Sequence, residues 1–385
     1  MIKGTFPVDK FRELQTPFYY YDMKLLQDTL NVVKDEVEKY GYHQHYAVKA
    51  NDNPVILSLI AQNGFGADCV SGGEIEAALE AGFPASEIVY AGVGKADWEI
   101  NLGLDNGIAC FNVESLAELE VINALAKERN KVADISLRIN PNVDGHTHVK
   151  ITTGLTENKF GINMGLLNEV LDEMCAMKNV NFIGLHFHIG SQITDMTSFR
   201  ELCIRSNDLQ DEFEKRGMKI PRINFGGGLG IDYHHPNHLS IPEFENYFSL
   251  FHKLVKQREG QQVHFELGRS VVAQCGSLIS KVLYVKKGET KQFAILDAGF
   301  TELIRPAMYD AYHHIENATS DEASEIYDVV GPVCESSDVF RKDVELNKVK
   351  RNDLIAFRSA GAYGETMASQ YNRRKLPKSY FSDKL

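Results

Sequence analysis

The feature that most constrains this chain is an alternation repeated eight times. Short apolar runs at 43–50, 66–70, 87–92, 107–112, 133–140, 181–188, 221–225 and 262–267 have the length of buried strands. Helix-like runs fall between them, at 54–63, 73–82, 96–104, 115–129, 164–177, 196–216 and 242–258. Caps or small residues such as Asn53-Pro54 and Ser71-Gly72-Gly73 stand at helix starts. Eight such units over about 230 residues point to an α/β fold, a closed (β/α)8 TIM barrel. A doubly wound sheet is the alternative; eight repeats favour closure.

Upstream, Pro7 and Pro17 break the 3–21 segment, and Phe18-Tyr19-Tyr20-Tyr21 favours a strand. Leu26, Leu30, Val33 and Val37 then mark an amphipathic helix over 25–40. The pattern changes after Arg269. Strand-like runs at 277–285, 292–297, 327–330, 335–340 and 353–360 have few helices between them, and 316–325 reads as an exposed polar loop. The expected organisation is a barrel over 22–270 and a C-terminal β-sandwich or β-barrel domain over 271–385, joined by residues 1–21.

Charge and cysteine usage narrow the function. A formal net charge of -12 argues against a nucleic-acid footprint, which needs a basic face. Six cysteines without CxxC spacing argue against a zinc ribbon or disulfide framework, and no metal site is expected. There is no apolar run of about 18 residues and no signal-peptide core, so a reduced, cytoplasmic protein away from membranes is expected.

Five constellations carry chemistry. Lys49, in His45-Tyr46-Ala47-Val48-Lys49-Ala50-Asn51, lies near the end of the first barrel strand. A buried lysine has a lowered pKa and becomes a nucleophile able to form a Schiff base. A lysine snorkelling from a strand end fits this stretch equally well. Gly226-Gly227-Gly228-Leu229-Gly230 follows strand seven, where barrels often bind phosphate through backbone amides, although a flexible turn has the same composition. His186 and His188 share a strand face; an imidazole there can stack on a cofactor ring, Ser191 can donate to a phosphate, and His186 better suits a core histidine. Glu266 ends strand eight and needs a cationic or N–H partner: a pyridinium nitrogen, or simply Arg269. In the β domain, Arg305 can grip a carboxylate, and Cys334 is a candidate proton donor or a structural cysteine.

Taken in order, these motifs resemble the diaminopimelate decarboxylases, a family of fold-type III pyridoxal 5'-phosphate (PLP) enzymes. The likeness runs from Phe18 to Asn372. The resemblance implies that Lys49 carries the cofactor, with Asp68 near its ring and Glu74 in support. It implies a stacking His188, phosphate contacts from Ser191, Gly226, Gly227 and above all Gly228, and Glu266 at the pyridine nitrogen. Gly268 and Arg269 fall within the same cofactor motif. Arg269, Arg305 and Tyr309 become substrate contacts, and Tyr363 meets cofactor and substrate. Cys334 and Glu335 resemble the pair that a second subunit supplies, so a homodimer is expected. Three positions depart from the family: Leu267 replaces a proline, Ser337 replaces glycine in Cys334-Glu335-Ser336-Ser337-Asp338, and Arg373 stands where a small residue is commoner.

The implied reaction is decarboxylation of meso-diaminopimelate to L-lysine, with Lys49, Cys334 or water returning the proton. Decarboxylases of ornithine, arginine or carboxynorspermidine are the nearest rivals, and a non-catalytic regulator on the same fold is the rival from another class. Residues 146–163 are a candidate closing loop.

Overall fold

The computed structural model describes residues 3–143 and 159–385; of the candidate closing loop, 146–158 lie outside the described residues. Contacts divide the chain into two units. One comprises residues 30–230 and 243–268; the other comprises 1–29, 231–242 and 269–385. Among the described residues, no helix is long and apolar enough to cross a membrane.

In chain order, β1 (Phe18–Tyr21) belongs to the second unit, and the barrel starts at β2 (His43–Ala47). It continues through β3 (Gly66–Cys69), β4 (Ile88–Tyr90), β5 (Cys110–Val113) and β6 (Ala133–Asn140). After a two-residue β7 (Ile162–Asn163) come β8 (Val180–His186), β9 (Arg222–Asn224) and β10 (Gln262–Phe265). The order β5-β4-β3-β2-β10-β9-β8-β6, with β5 pairing β6, closes an eight-stranded parallel barrel. The expected barrel is therefore the observed one.

Its helices start and stop for identifiable reasons. Asn53 caps the helix Pro54–Gln62 by accepting from the Val55 amide at 3.1 Å, and Pro54 occupies the first turn, where no N–H is needed. Ser71 caps Gly72–Ala81, which ends on the left-handed Gly82. The helix Phe244–Leu254 buries Phe244, Tyr247, Phe248 and Phe251, the stripe that a 3.6-residue period dictates. Phe248 and Phe251 meet Phe265 of β10 edge-on at 5.0 and 4.9 Å. Truncating such a buried ring costs about 3–5 kcal/mol.

The strands end before the apolar runs do. The run 43–50 leaves the ladder at Ala47 and closes a 3-10 turn over Val48–Ala50; the run 181–188 stops at His186, and 262–267 at Phe265. Lys49, His188 and Glu266 all lie just beyond these ends.

The second unit holds β11 (Gly276–Lys287), β12 (Gln292–Leu296), β13 (Ile315–Asn317), β14 (Ser324–Val330), β15 (Val339–Asn347), β16 (Leu354–Phe357) and β17 (Lys378–Phe381). The sheet order is β13-β16-β11-β12-β14-β15, and β1 joins it by pairing with β11 and β17. The N-terminal segment thus enters the β domain as expected. Phe11, Phe18, Tyr20, Ile279, Leu354 and Ala356 form a core there.

Two expectations fail in this unit. The segment 316–325 is not simply an exposed loop: Glu316 and Asn317 are fully buried in β13. The Gly4 amide donates to Glu316 at 3.0 Å and Arg358 pairs with it at 3.5 Å, which offsets the cost of burial. The run 335–340 begins as a turn, and its strand starts only at Val339.

Candidate active site

Glu266, one residue beyond β10, is buried, and three side chains from three other strands converge on it. His186 Nε2, at the end of β8, lies 2.8 Å from Oε2. Asn224 Nδ2, at the end of β9, donates to Oε1 at 2.7 Å, and Asn112 Nδ2 of β5 does so at 3.3 Å. Burial alone would raise the pKa of this carboxyl; His186 and then Lys49 outweigh burial and hold it below the ordinary range, so it is ionised. Three donors on about four acceptor positions leave room for one more.

Lys49 sits in the turn after β2. Its Nζ is 3.5 Å from Oδ2 of Asp68, and its side chain keeps 35% exposure against 2% for Asp68. Gly268 fits against this turn because it has no Cβ: one would come within 3.0 Å of Ala47 and Ala50. Asp68 is pushed well above the ordinary carboxyl range by burial, then by the Glu266 charge, against the pull of Lys49. Burial thus favours the protonated form of Asp68, and its Oδ1 is buried without a hydrogen-bond partner among the described residues. Burial also raises Glu74, to about 7, while its Oε2 accepts from the Val70 amide at 2.8 Å.

His188, two residues past β8, is half-buried. The protein packed around it, then the Lys49 and Arg138 cations, hold its imidazole neutral, well below the usual histidine pKa. The glycine run is placed beside it by close backbone approach. A Cβ on Gly226 would sit 2.3 Å from the Phe187 carbonyl, and one on Gly227 would sit 2.2 Å from that of Glu266. The Gly226 amide is engaged by Asn224 Oδ1 at 2.8 Å, and that of Gly227 points at His188 Nδ1 at 3.4 Å. Of the expected nest, Gly228 is thus the best placed for an anion; its φ of 112° belongs to glycine alone. The strand of chain carrying Ser191 runs beside it through the Ile193–Leu229 bridge.

These residues fit PLP. Asp68 has an orphaned oxygen next to the lysine, Glu266 is ionised with one acceptor position left, and a glycine cradle lies on the same barrel unit.

The second unit gathers the remaining candidates differently. Arg269 Nη1 donates to the Tyr233 hydroxyl at 2.7 Å and lies 4.8 Å over the Tyr363 ring. Arg305 lies 5.0 Å over the Tyr233 ring and bonds His313 Nε2 at 2.8 Å. Tyr309 is half-buried at the end of the same short helix, Arg305–Tyr309. Tyr363 holds a φ of 56°, which is strained for an aromatic residue. Cys334 and Glu335 are exposed, on a loop clamped by the buried Asp338, which accepts from the Phe300 and Val333 amides at 2.7 Å. Glu335 accepts from the Tyr371 hydroxyl at 2.6 Å. Ser337, in place of the family glycine, is not among the residues with positive φ, so the substitution brings no backbone strain.

Sequence reasoning missed Asn112, Asn224, Tyr233 and His313, and it read His186 only as core. A polar residue inside an apolar strand, as in Cys110-Phe111-Asn112-Val113, was the available signal.

A model of the pyridoxal binding domain of the pyridoxal-dependent decarboxylases matches residues 25–273. A diaminopimelate decarboxylase from Bacteroides thetaiotaomicron is 66% identical over 385 residues, all of both chains. The structure of diaminopimelate decarboxylase from Helicobacter pylori complexed with L-lysine is 38% identical, with a TM-score of 0.90 over 97% of this chain and 93% of that one. That of the M. jannaschii enzyme in co-complex with L-lysine is 36% identical, with a TM-score of 0.91 over 100% and 91%. A family match across the barrel and full-length likeness of this order have one reading: the chain belongs to the diaminopimelate decarboxylases, within the pyridoxal-dependent decarboxylases.

Proposed function

We propose that this chain removes CO2 from meso-2,6-diaminopimelate to give L-lysine, the last step of lysine biosynthesis. The observation that carries the chemistry is Glu266, held ionised by His186, Asn224 and Asn112. PLP, when bound, supplies the electron sink for the departing CO2. Glu266 holds a proton at the ring nitrogen, because an ionised carboxylate favours the charged form of its partner. Lys49, whose Nζ lies 3.5 Å from Asp68, would hold the cofactor through Nζ. Asp68 supports Lys49 on the ring side, and Glu74 supports that turn. His188, kept neutral, packs on the ring face without adding charge. Gly228 and Ser191, with Gly226, Gly227 and Gly268 shaping the loop, hold the phosphate.

Arg269, Arg305, Tyr309, Glu335 and Tyr363 are proposed to hold the far end of the substrate, guanidinium to carboxylate and carboxylate to ammonium. Lys49, Cys334 or water would return the proton to the carbon that loses CO2. Cys334 and Glu335 are assigned to the active site of a second subunit in a cytoplasmic homodimer; their exposure on a clamped loop supports that reading. The structures of two relatives with L-lysine support the substrate. The test is CO2 release from the PLP-loaded protein offered meso-diaminopimelate, L-ornithine, L-arginine and carboxynorspermidine separately. Turnover of diaminopimelate alone is expected; turnover of another substrate instead overturns the specificity, and turnover of none overturns the activity.

A further inference from the structure

Arg305, like Arg269, is buried in this unit against an aromatic ring. Two other arginines of the unit face carboxylates: Arg358 pairs with Glu316 at 3.5 Å and Arg374 with Glu302 at 3.2 Å. Among the described residues no carboxylate pairs with Arg305. Its partners are the π face of Tyr233, at 5.0 Å, and His313 Nε2, at 2.8 Å. Both attract a cation without cancelling its charge.

The hydrogen bonds fix which form of His313 can do this. A guanidinium only donates, so Nε2 must be an unprotonated acceptor. Nδ1 lies 3.0 Å from the Arg358 carbonyl, an acceptor only, so Nδ1 carries the hydrogen. The imidazole is thereby held as one neutral tautomer. Burial, and then the Arg305 charge, push its pKa down to about 3, which keeps it neutral at working pH.

We propose that His313 is a positioning residue for substrate recognition: its neutral Nε2 orients the Arg305 guanidinium and leaves its positive charge for the substrate's distal carboxylate. An aspartate or glutamate in its place would orient Arg305 equally well but neutralise it. This inference rests on the reading of Arg305 as a substrate contact. It adds the residue that sets how much charge Arg305 presents.

The test compares L-lysine with cadaverine, which has both amines and no carboxylate, binding to the PLP-loaded protein by calorimetry. A charge-assisted bond to the carboxylate is worth about 1.5–3 kcal/mol, so the wild type should prefer L-lysine by about tenfold or more. His313→Gln, which keeps a neutral acceptor, should retain that preference within about threefold. His313→Leu should lose about fivefold of it, and His313→Glu should abolish it, with cadaverine affinity and cofactor absorbance unchanged. In turnover the losses should appear in KM rather than kcat.

A His313→Glu protein that keeps the lysine preference overturns the proposal. So do Gln and Leu variants that behave alike, which decide the matter if the Glu variant does not fold. Should none of the variants fold, the nitrogen NMR spectrum of the wild type decides: an Nδ1-protonated neutral His313 from pH 5 to 8 is required, and any other form overturns it. A wild type with no preference for L-lysine would instead defeat the assignment of Arg305 as a carboxylate contact, and this inference with it.

Discussion

The two units bury charge in opposite senses. In the barrel unit a carboxylate, Glu266, is ringed by His186, Asn224 and Asn112 and held ionised. In the second unit a guanidinium, Arg305, is held by Tyr233 and His313, neither of which carries an opposing charge. Each arrangement costs desolvation; Glu266 is offset by His186 and the Lys49 cation together with hydrogen bonds from Asn224 and Asn112, and Arg305 by a hydrogen bond and an aromatic face. The difference shows how one chain prepares for two kinds of group. A carboxylate with one acceptor position left suits a cation, such as a protonated ring nitrogen. A buried guanidinium without a carboxylate suits an anion, such as a substrate carboxylate.

The largest effect that can break the comparison is on the barrel side. Lys49→Ala removes the amine beside Asp68 and leaves the Arg305 cluster untouched. Turnover should fall on the order of a thousandfold or more, with thermal stability within about 1 kcal/mol, since the side chain is partly exposed. Steady-state assays and melting curves on the same preparation would show it; normal turnover would remove Lys49 from the chemistry.

Acid should strain the barrel unit further than the second unit. His43, His45 and His264 form a stack in the barrel: His45 Nε2 lies 2.9 Å from His264 Nδ1, and the His43 and His264 rings are 4.5 Å apart. Burial lowers all three pKa values, His45 from 6.5 to about 4, and in the second unit it lowers His313 as well. The folded barrel then binds fewer protons than the unfolded chain in this range. The His45 contribution is complete above pH 6.5 and is lost as pH falls toward about 4, amounting to about 3 kcal/mol. His45→Gln should flatten the pH dependence of stability in denaturant titrations at pH 7.5 and 4.5. An unchanged slope would show that these imidazoles do not set it.

A smaller effect lies in the second unit. Asn372 and Arg373 hold φ angles of 53° and 57°, and Arg373 is exposed. A side chain in this left-handed region costs about 1–2 kcal/mol, part of which glycine returns through a more flexible unfolded chain. Arg373→Gly should therefore stabilise the protein by roughly 0.5–1 kcal/mol in melting experiments.

The barrel was legible because its period repeats eight times, and each strand-helix unit is a local pattern. The exact strand ends were not, since Val48–Ala50 continues the apolar run of β2 but leaves the ladder. Lys49, Glu266 and His188 were visible as polar residues closing apolar runs. The partners of Glu266 were not, because Asn112, His186 and Asn224 come from three separate strands and meet only when the barrel closes. Arg305 was visible as a candidate carboxylate contact. His313, eight residues further on, carried no signal of its own, because it meets the guanidinium only in the folded chain.

The opposite preparation of the two units is tested most directly by kcat and KM for meso-diaminopimelate, measured side by side for Glu266→Gln and Arg305→Met at saturating PLP. The expected result is a split. Glu266→Gln lowers kcat on the order of a hundredfold with KM within about threefold, and Arg305→Met raises KM about tenfold or more with kcat within about fivefold. Both variants lowering kcat alike, or both raising only KM, would contradict it.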